Sequence, residues 1–351
     1  MTTQNSLHTH TKLHVWCRRF RMPIATRKNL GWDKAKGRGY MSGEDVTWTG
    51  EDVNDHIENW MKSMGLFETD TDIPKSGRLD ECIIATGHIN GNMTLVKNRD
   101  RTYKPTMSVI RYRTKKGIEI AIIYDKNTHY LEGMNEFGIG ILNSTMLNEI
   151  DSDTEGDYNR EQGQIVFKAL NTKTIDEAIG VLTTQSGGLE GHTMVADAAR
   201  AYHVEMLKGS ESHVVQLDPT SGWDARTNHG VHFPEGGYMP RDGQIYMSSN
   251  YRKALAEIEL CGATSAKKAM AILRQQHNEP DSHMNVHRRV PSNPDYPEGF
   301  MTTSQVVMDL GERRLYFHCY TNFANFCGEV EDLLPEDYKP KIKITISQSD
   351  Q

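Results

Sequence analysis

The segment from Cys82 to Asp100 begins on a thiol and ends on Lys97-Asn98-Arg99-Asp100, two cations and a carboxylate. Strands predicted from Ile83 to Thr86 and from Met93 to Val96, joined by a turn over Gly87 to Asn92 that carries Asn90-Gly91, fold the second end back beside Cys82. That layout suits a thiol nucleophile served by its own hairpin. A cut before Cys82 sets a new α-amine beside the thiol. Such an amine titrates near ~7.7 to 8.0, so it takes a thiol proton at working pH without strong burial. A buried cysteine heading an apolar strand is also ordinary packing, and the hairpin alone does not separate the two readings.

The elements that position this hairpin follow from pattern. Short β-branched or apolar runs predict strands at Thr106 to Arg113, Ile118 to Tyr124, Tyr130 to Met134 and Gly138 to Ser144. A helix through Ile165, Ala169 and Leu170 and another from Ile175 to Leu182 after the Thr174 cap come next, then strands at Thr193 to Asp197 and Tyr202 to Leu207. Beyond a loop-rich stretch from Asp218 to Asp242, Ser248-Ser249 are read as the cap of a helix from Tyr251 to Leu260, and another spans Ser265 to Gln276. After a polar, Pro-rich region come strands Ser304 to Leu310 and Arg314 to Tyr320. This alternation of strand groups and helix pairs gives an α+β chain with antiparallel sheets and helices outside, not a doubly wound parallel sheet.

Residues 1–81 differ from the rest. They hold four of the five tryptophans, Trp16, Trp32, Trp48 and Trp60, with a predicted amphipathic helix from Asp52 to Met64 and a polar, breaker-containing linker from Ile73 to Glu81. The organisation expected is a Trp-rich leader or pro-segment over 1–81, a catalytic domain over 82–330 and a polar tail over 331–351.

Composition excludes several classes of function. A net charge of -7 over 351 residues argues against a general nucleic-acid binder, and the basic runs at Cys17 to Arg21 and Arg111 to Lys116 read as solvated faces. No apolar run reaches the roughly 18 residues of a membrane span. Five cysteines, at 17, 82, 261, 319 and 327, form no CxxC pair, so free thiols in a reducing, cytosolic setting are expected and a disulfide framework is not. Among 15 histidines the metal-like spacings are His8/His10 and His283/His287, but no helix with a following Glu supports them, so surface histidines and no metal are expected. There is no Walker loop or GxGxxG, hence no nucleotide and no cofactor. Self-association is left open.

Six further groups of residues turn the hairpin into a family resemblance. They are Lys97 to Asp100; Gly133-Met-Asn-Glu-Phe-Gly-Ile-Gly-Ile-Leu-Asn143; His192 to Asp197 with Val204-Glu205; Arg226-Thr-Asn-His-Gly230; Ser248-Ser-Asn-Tyr-Arg252; and Thr302 to Phe317. With Cys82, and in this order, they resemble the linear amide C–N hydrolases: choloylglycine hydrolases, penicillin V acylases and acyl-coenzyme A:6-aminopenicillanate acyltransferase-like proteins, all N-terminal-nucleophile (Ntn) hydrolases.

The resemblance implies a four-layer αββα sandwich of two antiparallel sheets between helical layers. It implies a small-molecule amide or acyl-donor substrate, attacked by Cys82 to give a thioester that water or an amine resolves. By the same resemblance Asp100 orients the α-amine of Cys82, the Asn228 amide donates to the oxyanion, Arg252 is a cation near the nucleophile, and Asn143 is a second oxyanion donor. The chain departs from the family at two points. Lys97 stands where relatives carry arginine, losing the planar fork or passing its contacts to Arg99, and Ile83 replaces the usual Thr after the nucleophile. Self-cleavage between Glu81 and Cys82 is the expected route to a free Cys82 amine. The alternative is an inactive Ntn-like fold that keeps its N-terminal segment and serves in binding or assembly.

Overall fold

The computed structural model describes residues 80–349, apart from 129, 147–154, 185–188, 208–209, 219, 221, 235, 237–242, 292–298 and 322–329. Before residue 80 it describes only 32–33 and 38–39. The helix expected over Asp52 to Met64, the linker as far as Leu79, and His8, His10, Arg18 and Arg19 lie outside the described residues. The chain divides into two units, residues 1–47 with 335–338, and residues 48–334 with 339–351. In the first, strands β1 (Trp32–Asp33) and β2 (Arg38–Gly39) pair antiparallel.

The described residues of the second unit begin with β3 (Asp80–Ile89) and β4 (Asn92–Arg101), which form the hairpin. Its turn is tighter than the sequence suggested. Asn90 and Gly91 both take positive φ (52° and 82°), the geometry of a two-residue type I′ turn, so the strands run longer at both ends. Next come β5 (Met107–Arg113), β6 (Glu119–Asp125), β7 (Tyr130–Asn135), β8 (Gly140–Ser144), α1 (Glu155–Leu170), α2 (Ile175–Thr184), β9 (Gly191–Ala196), β10 (Ala201–Met206), β11 (His213–Leu217) and β12 (Asp224–Arg226). Then follow α3 (Gly243–Leu260), α4 (Ala266–Leu273), β13 (Arg289–Val290), β14 (Phe300–Asp309), β15 (Arg314–Cys319), β16 (Val330–Leu333) and β17 (Lys343–Gln348).

One sheet runs β12-β3-β4-β14-β15-β17, with β13 beside β14; the other runs β11-β10-β9-β8-β7-β6-β5-β16. Between them lies a core of Ile84, Met93, Leu95 and Met308 from the first sheet and Ile123, Met134, Leu142 and Met194 from the second. The outer face of the first sheet, through Ile83, Ala85, Val96 and Val307, packs on Ala256 and Leu260 of α3 and on Ala269, Met270 and Leu273 of α4. Helices α1 and α2 contact strands of the second sheet, at β7 and β9. The order of layers is therefore helix, sheet, sheet, helix. The sheets are mixed, not wholly antiparallel: β17 adds to β15 and β16 to β5 in parallel. The polar C-terminal residues read as a tail from sequence supply these edges. Such positions take polar strands because one flank faces water.

Three smaller expectations change. Helix α3 starts at Gly243, so Ser248 and Ser249 lie inside it, where their buried hydroxyls serve neighbouring loops instead of capping the helix. Cys319 is disulfide-bonded to a partner outside the described residues, while Cys82 and Cys261 are free thiols. An odd cysteine count forbids complete pairing, not a single bond, so the cysteines do not argue uniformly for a reducing compartment. Among the described residues no helix is long and apolar enough to cross a membrane.

Gly133 shows how tightly the second sheet is set. A Cβ there would run into the backbone carbonyl of Ala121 on the adjacent strand, which cannot yield. Gly133→Ala is expected to cost about 1–3 kcal/mol through overpacking, read as a lower urea midpoint at unchanged slope. An unchanged midpoint contradicts the close approach.

Candidate active site

Period-two alternation splits the hairpin's chemistry between two faces. Cys82 pairs with Arg99 and Ile84 with Lys97, so Cys82, Lys97, Arg99 and Arg101 share the inter-sheet face with Leu95. Glu81 pairs with Asp100, and both point to the helical face with Ile83, Val96 and Asn98.

On the inter-sheet face, Cys82 is buried and its Sγ lies 3.7 Å from Arg101 Nη1, which also donates to the Asp100 carbonyl at 2.9 Å. Lys97 Nζ donates to Glu132 at 2.5 Å and Arg99 Nη2 to the other oxygen of the same carboxylate at 2.6 Å, with Asp125 3.5 Å from Arg99. Burial alone raises the Glu132 carboxyl's pKa, but the two cations outweigh it and leave it below its ordinary range. Burial lowers Lys97, against the pull of Cys82 and Glu132. The Tyr130 ring lies 5.7 Å from Lys97 Nζ and 5.6 Å from the Arg99 guanidinium. A small cavity opens beside the thiol, lined among the described residues by Cys82, Lys97, Arg101, Tyr130, Asn143, Thr145 and Gln162.

The helical face holds a second charged cluster. Helix α3 turns Ser248, Arg252, Ala256 and Leu260 toward the sheet at four-residue spacing. Arg252 Nη2 donates to Glu81 at 2.6 Å and to Asn228 Oδ1 at 2.9 Å, and its Nη1 lies 3.6 Å from Asp100. Arg288, from the loop before β13, also binds Glu81, and its Nε lies 3.9 Å from Asp100. Thr302 on β14 donates to Asp100 at 2.7 Å. Burial raises the Asp100 carboxyl's pKa, while Arg288 and Arg252 restrain the rise. Burial, with Arg288 adding repulsion, brings Arg252 down to about 10.

Asn228 joins the two faces. β12 pairs with β3 as far as Ile84, and the chain then passes alongside Cys82. Because the Asn228 amide oxygen accepts from Arg252, its Nδ2 turns toward Thr145, whose carbonyl accepts at 2.7 Å. Ser144 Oγ lies 3.2 Å from the Cys82 carbonyl and 2.8 Å from that of Thr227. Asn143 Nδ2 bonds Glu190 O and Thr193 Oγ1, both at 3.2 Å.

A brace from the second sheet holds this loop. The Glu205 carboxylate accepts from the backbone N–H groups of Val231, His232 and Phe233 at 2.8 to 3.0 Å. His192 Nε2 lies 2.8 Å from the His229 carbonyl, which fixes the proton there; His192 Nδ1 then accepts from His203 Nε2 at 3.0 Å. Burial lowers His203 to about 2 and His192 to about 4, so both are neutral near pH 7. Their ring nitrogens and Glu205 lie within 4.8 Å of one another, a metal-like grouping whose atoms these hydrogen bonds already use. Burial also corrects the expectation of surface histidines: His192, His203, His229, His287 and His318 are all buried.

The sequence-predicted residues therefore separate. Cys82, Lys97 and Asn143 line the cavity; Asp100 and Asn228 gather around Arg252, which binds the Glu81 carboxylate. Among the described residues the cation within hydrogen-bond distance of the thiol is Arg101, not Arg252. Sequence reasoning missed it by stopping at Asp100, although counting outward from Asn90-Gly91 puts it on the Cys82 face. Arg288, Glu132 and Gln162 carried no comparable signal.

No protein-family model matches the chain, and no curated protein matches it. Among solved structures it is similar to a mutant conjugated bile acid hydrolase from Clostridium perfringens, at 14% identity and a TM-score of 0.43, over 76% of this chain and 98% of that one. It is also similar to penicillin V acylase from Agrobacterium tumefaciens, at 13% identity and a TM-score of 0.41, over 75% and 99% of the two chains.

Proposed function

We propose that the protein is a cysteine amidohydrolase or acyltransferase that cleaves a linear, non-peptide C–N bond after the Glu81–Cys82 bond is cut. The observation that supports this reading most is the placement of Cys82: its thiol lines a cavity beside Arg101, while the side chain of the residue before it, Glu81, is bound by Arg252 and Arg288, of which Arg252 also reaches Asp100 and Asn228. The freed α-amine takes the thiol proton, Sγ adds to the substrate carbonyl, and Asn228 with Asn143 receives the oxyanion. The C–N bond breaks as the amine leaves with that proton. Water or an acceptor amine then attacks the thioester carbon, releasing the acyl group and restoring the thiol.

Removal of residues 1–81 also takes away the Glu81 carboxylate and leaves two guanidiniums facing Asp100 and the new amine. Two cations against one carboxylate favour the neutral amine, which is the base. Activity is expected to rise with pH through an amine pKa below the usual ~7.7 to 8.0. Arg288→Met moves this acidic limb upward. A limb at or above ~8, unmoved by that substitution, contradicts an amine base at this position.

A second reading, a binding protein that keeps its N-terminal segment, draws on Glu81 itself: it is fully buried in β3 and bound by Arg252 and Arg288. Intact-mass analysis of the purified protein separates the two. The first reading expects a chain starting at Cys82; amide turnover by a chain that retains residues 1–81 refutes the amine-base mechanism.

A further inference from the structure

The charged cluster on the helical face is built around a side chain that processing removes. Glu81 is fully buried, and its Oε2 accepts from Arg252 Nη2 at 2.6 Å and from Arg288 Nη1. Both guanidiniums are also held by groups that stay when residues 1–81 leave. Arg252 Nη2 donates to Asn228 Oδ1 at 2.9 Å. Arg288 donates through Nη2 to Ser248 Oγ at 2.9 Å and through Nε to the His283 carbonyl at 3.0 Å, and its guanidinium lies 4.9 Å from the Phe300 ring. The pair is therefore anchored independently of Glu81. Among the described residues the other carboxylate within ion-pair distance is Asp100, at 3.6 Å from Arg252 and 3.9 Å from Arg288 and tied to Thr302. A cut before Cys82 leaves two buried cations facing one carboxylate, an imbalance that an anion taken from solution relieves. The space vacated is that of a glutamate side chain, which propionate reproduces atom for atom. Tethered to the backbone, Glu81 gives one oxygen to both guanidiniums and leaves Oε1 without a hydrogen-bond partner. A free carboxylate can turn one oxygen to each.

We infer that the seat of the Glu81 carboxylate, between Arg252 and Arg288, is a binding site for a small monocarboxylate, vacated by processing and refilled from solution. The inference rests on the proposed cut before Cys82. A bound carboxylate restores the second negative charge beside the new α-amine, which favours the protonated amine and withdraws the base. Small carboxylates therefore inhibit the processed enzyme where the amine titrates and lose that effect at high pH.

The test has a binding arm and a kinetic arm. In the first, Glu81→Gly is made in the full-length Cys82→Ala chain, which deletes the carboxylate without depending on processing. Propionate is expected to raise the urea midpoint of this chain saturably, half-maximally at about 1–10 mM, while propionamide at equal concentration and ionic strength does not. Cys82→Ala alone, which keeps Glu81, and Glu81→Gly combined with Arg288→Met are expected to show no such rise. Equal midpoints in propionate and propionamide, or a Glu81→Gly chain that folds in neither, overturns the inference. In the second arm, amide turnover by the processed parent is measured at pH 6.5 and pH 9 with the same two additives. Propionate is expected to slow turnover at least ~3-fold at pH 6.5 and to leave it unchanged at pH 9. Equal inhibition at the two pH values, or none at either, overturns the inference. The two readings fail differently. A parent that is never cut, with the propionate response present in the first arm, supports the carboxylate seat and removes the processed enzyme; a cut and active parent with neither response removes the seat and leaves the enzyme.

Discussion

Cys82→Ala is expected to leave a single full-length chain that forms no acyl-thioester and turns over amides at least about 10⁴-fold more slowly than the parent. Everything else at the site acts through this sulfur. Arg101 approaches it, the cavity opens on it, and Asn228 is held over the strand that carries it. The residues around Sγ can bind a carbonyl but cannot make a covalent bond to it. Processing and turnover should therefore fail together. Cys261 is an exposed thiol, and Cys261→Ser should affect neither. Mass analysis with a reactive ester as thioester trap reads both outcomes at once. A Cys82→Ala chain that still loses residues 1–81 points to an external protease, and one that still cleaves amides ends the proposed mechanism.

Glu132→Leu is expected to destabilise the fold by about 3–5 kcal/mol at pH 7, because one carboxylate compensates two fully buried cations, Lys97 and Arg99. Asp125, at 3.5 Å from Arg99, does not reach Lys97 within ion-pair distance. The sign of the pH dependence follows from Lys97, whose pKa is already lowered by burial. Glu132 raises the folded-state pKa of Lys97, so without it that pKa falls further below the ~10.4 of the unfolded chain. The unfolded state then binds more protons, so the variant recovers stability as pH rises. Urea midpoints at pH 7 and pH 9.5 should show the gap to the parent narrowing. Lys97→Met combined with Glu132→Leu should recover part of the loss, since it removes the stranded cation. A loss under ~1 kcal/mol that does not change with pH means that the cluster contributes little to stability.

Much of this arrangement was readable from local pattern. The turn at Asn90-Gly91, the alternation along both strands and the grouping of strands and helices fixed the layers and put Asp100 beside the start of β3. What escaped has a common physical cause. Arg288 and Glu132 reach the site from loops and strands whose place depends on tertiary packing, and the edge strands β16 and β17 lack the apolar alternation of two-sided burial. Ser248-Ser249 look like a helix cap because the same hydroxyl chemistry serves caps and loop anchors alike. His192 was misplaced for a related reason: a neutral imidazole packs inside once both nitrogens have partners, and those partners, His203 and the His229 carbonyl, are distant in sequence.

The two-face hairpin also sets which changes of length the chain tolerates. An extra residue inserted at Asn90-Gly91 enlarges the turn and leaves each strand's parity intact. The same insertion between Met93 and Lys97 exchanges the faces downstream, turning Arg99 and Arg101 toward α3 and Asp100 toward the thiol, unless a bulge absorbs it. Length variation in this hairpin should therefore concentrate at its tip, while its strands change by substitution or by residues gained in pairs.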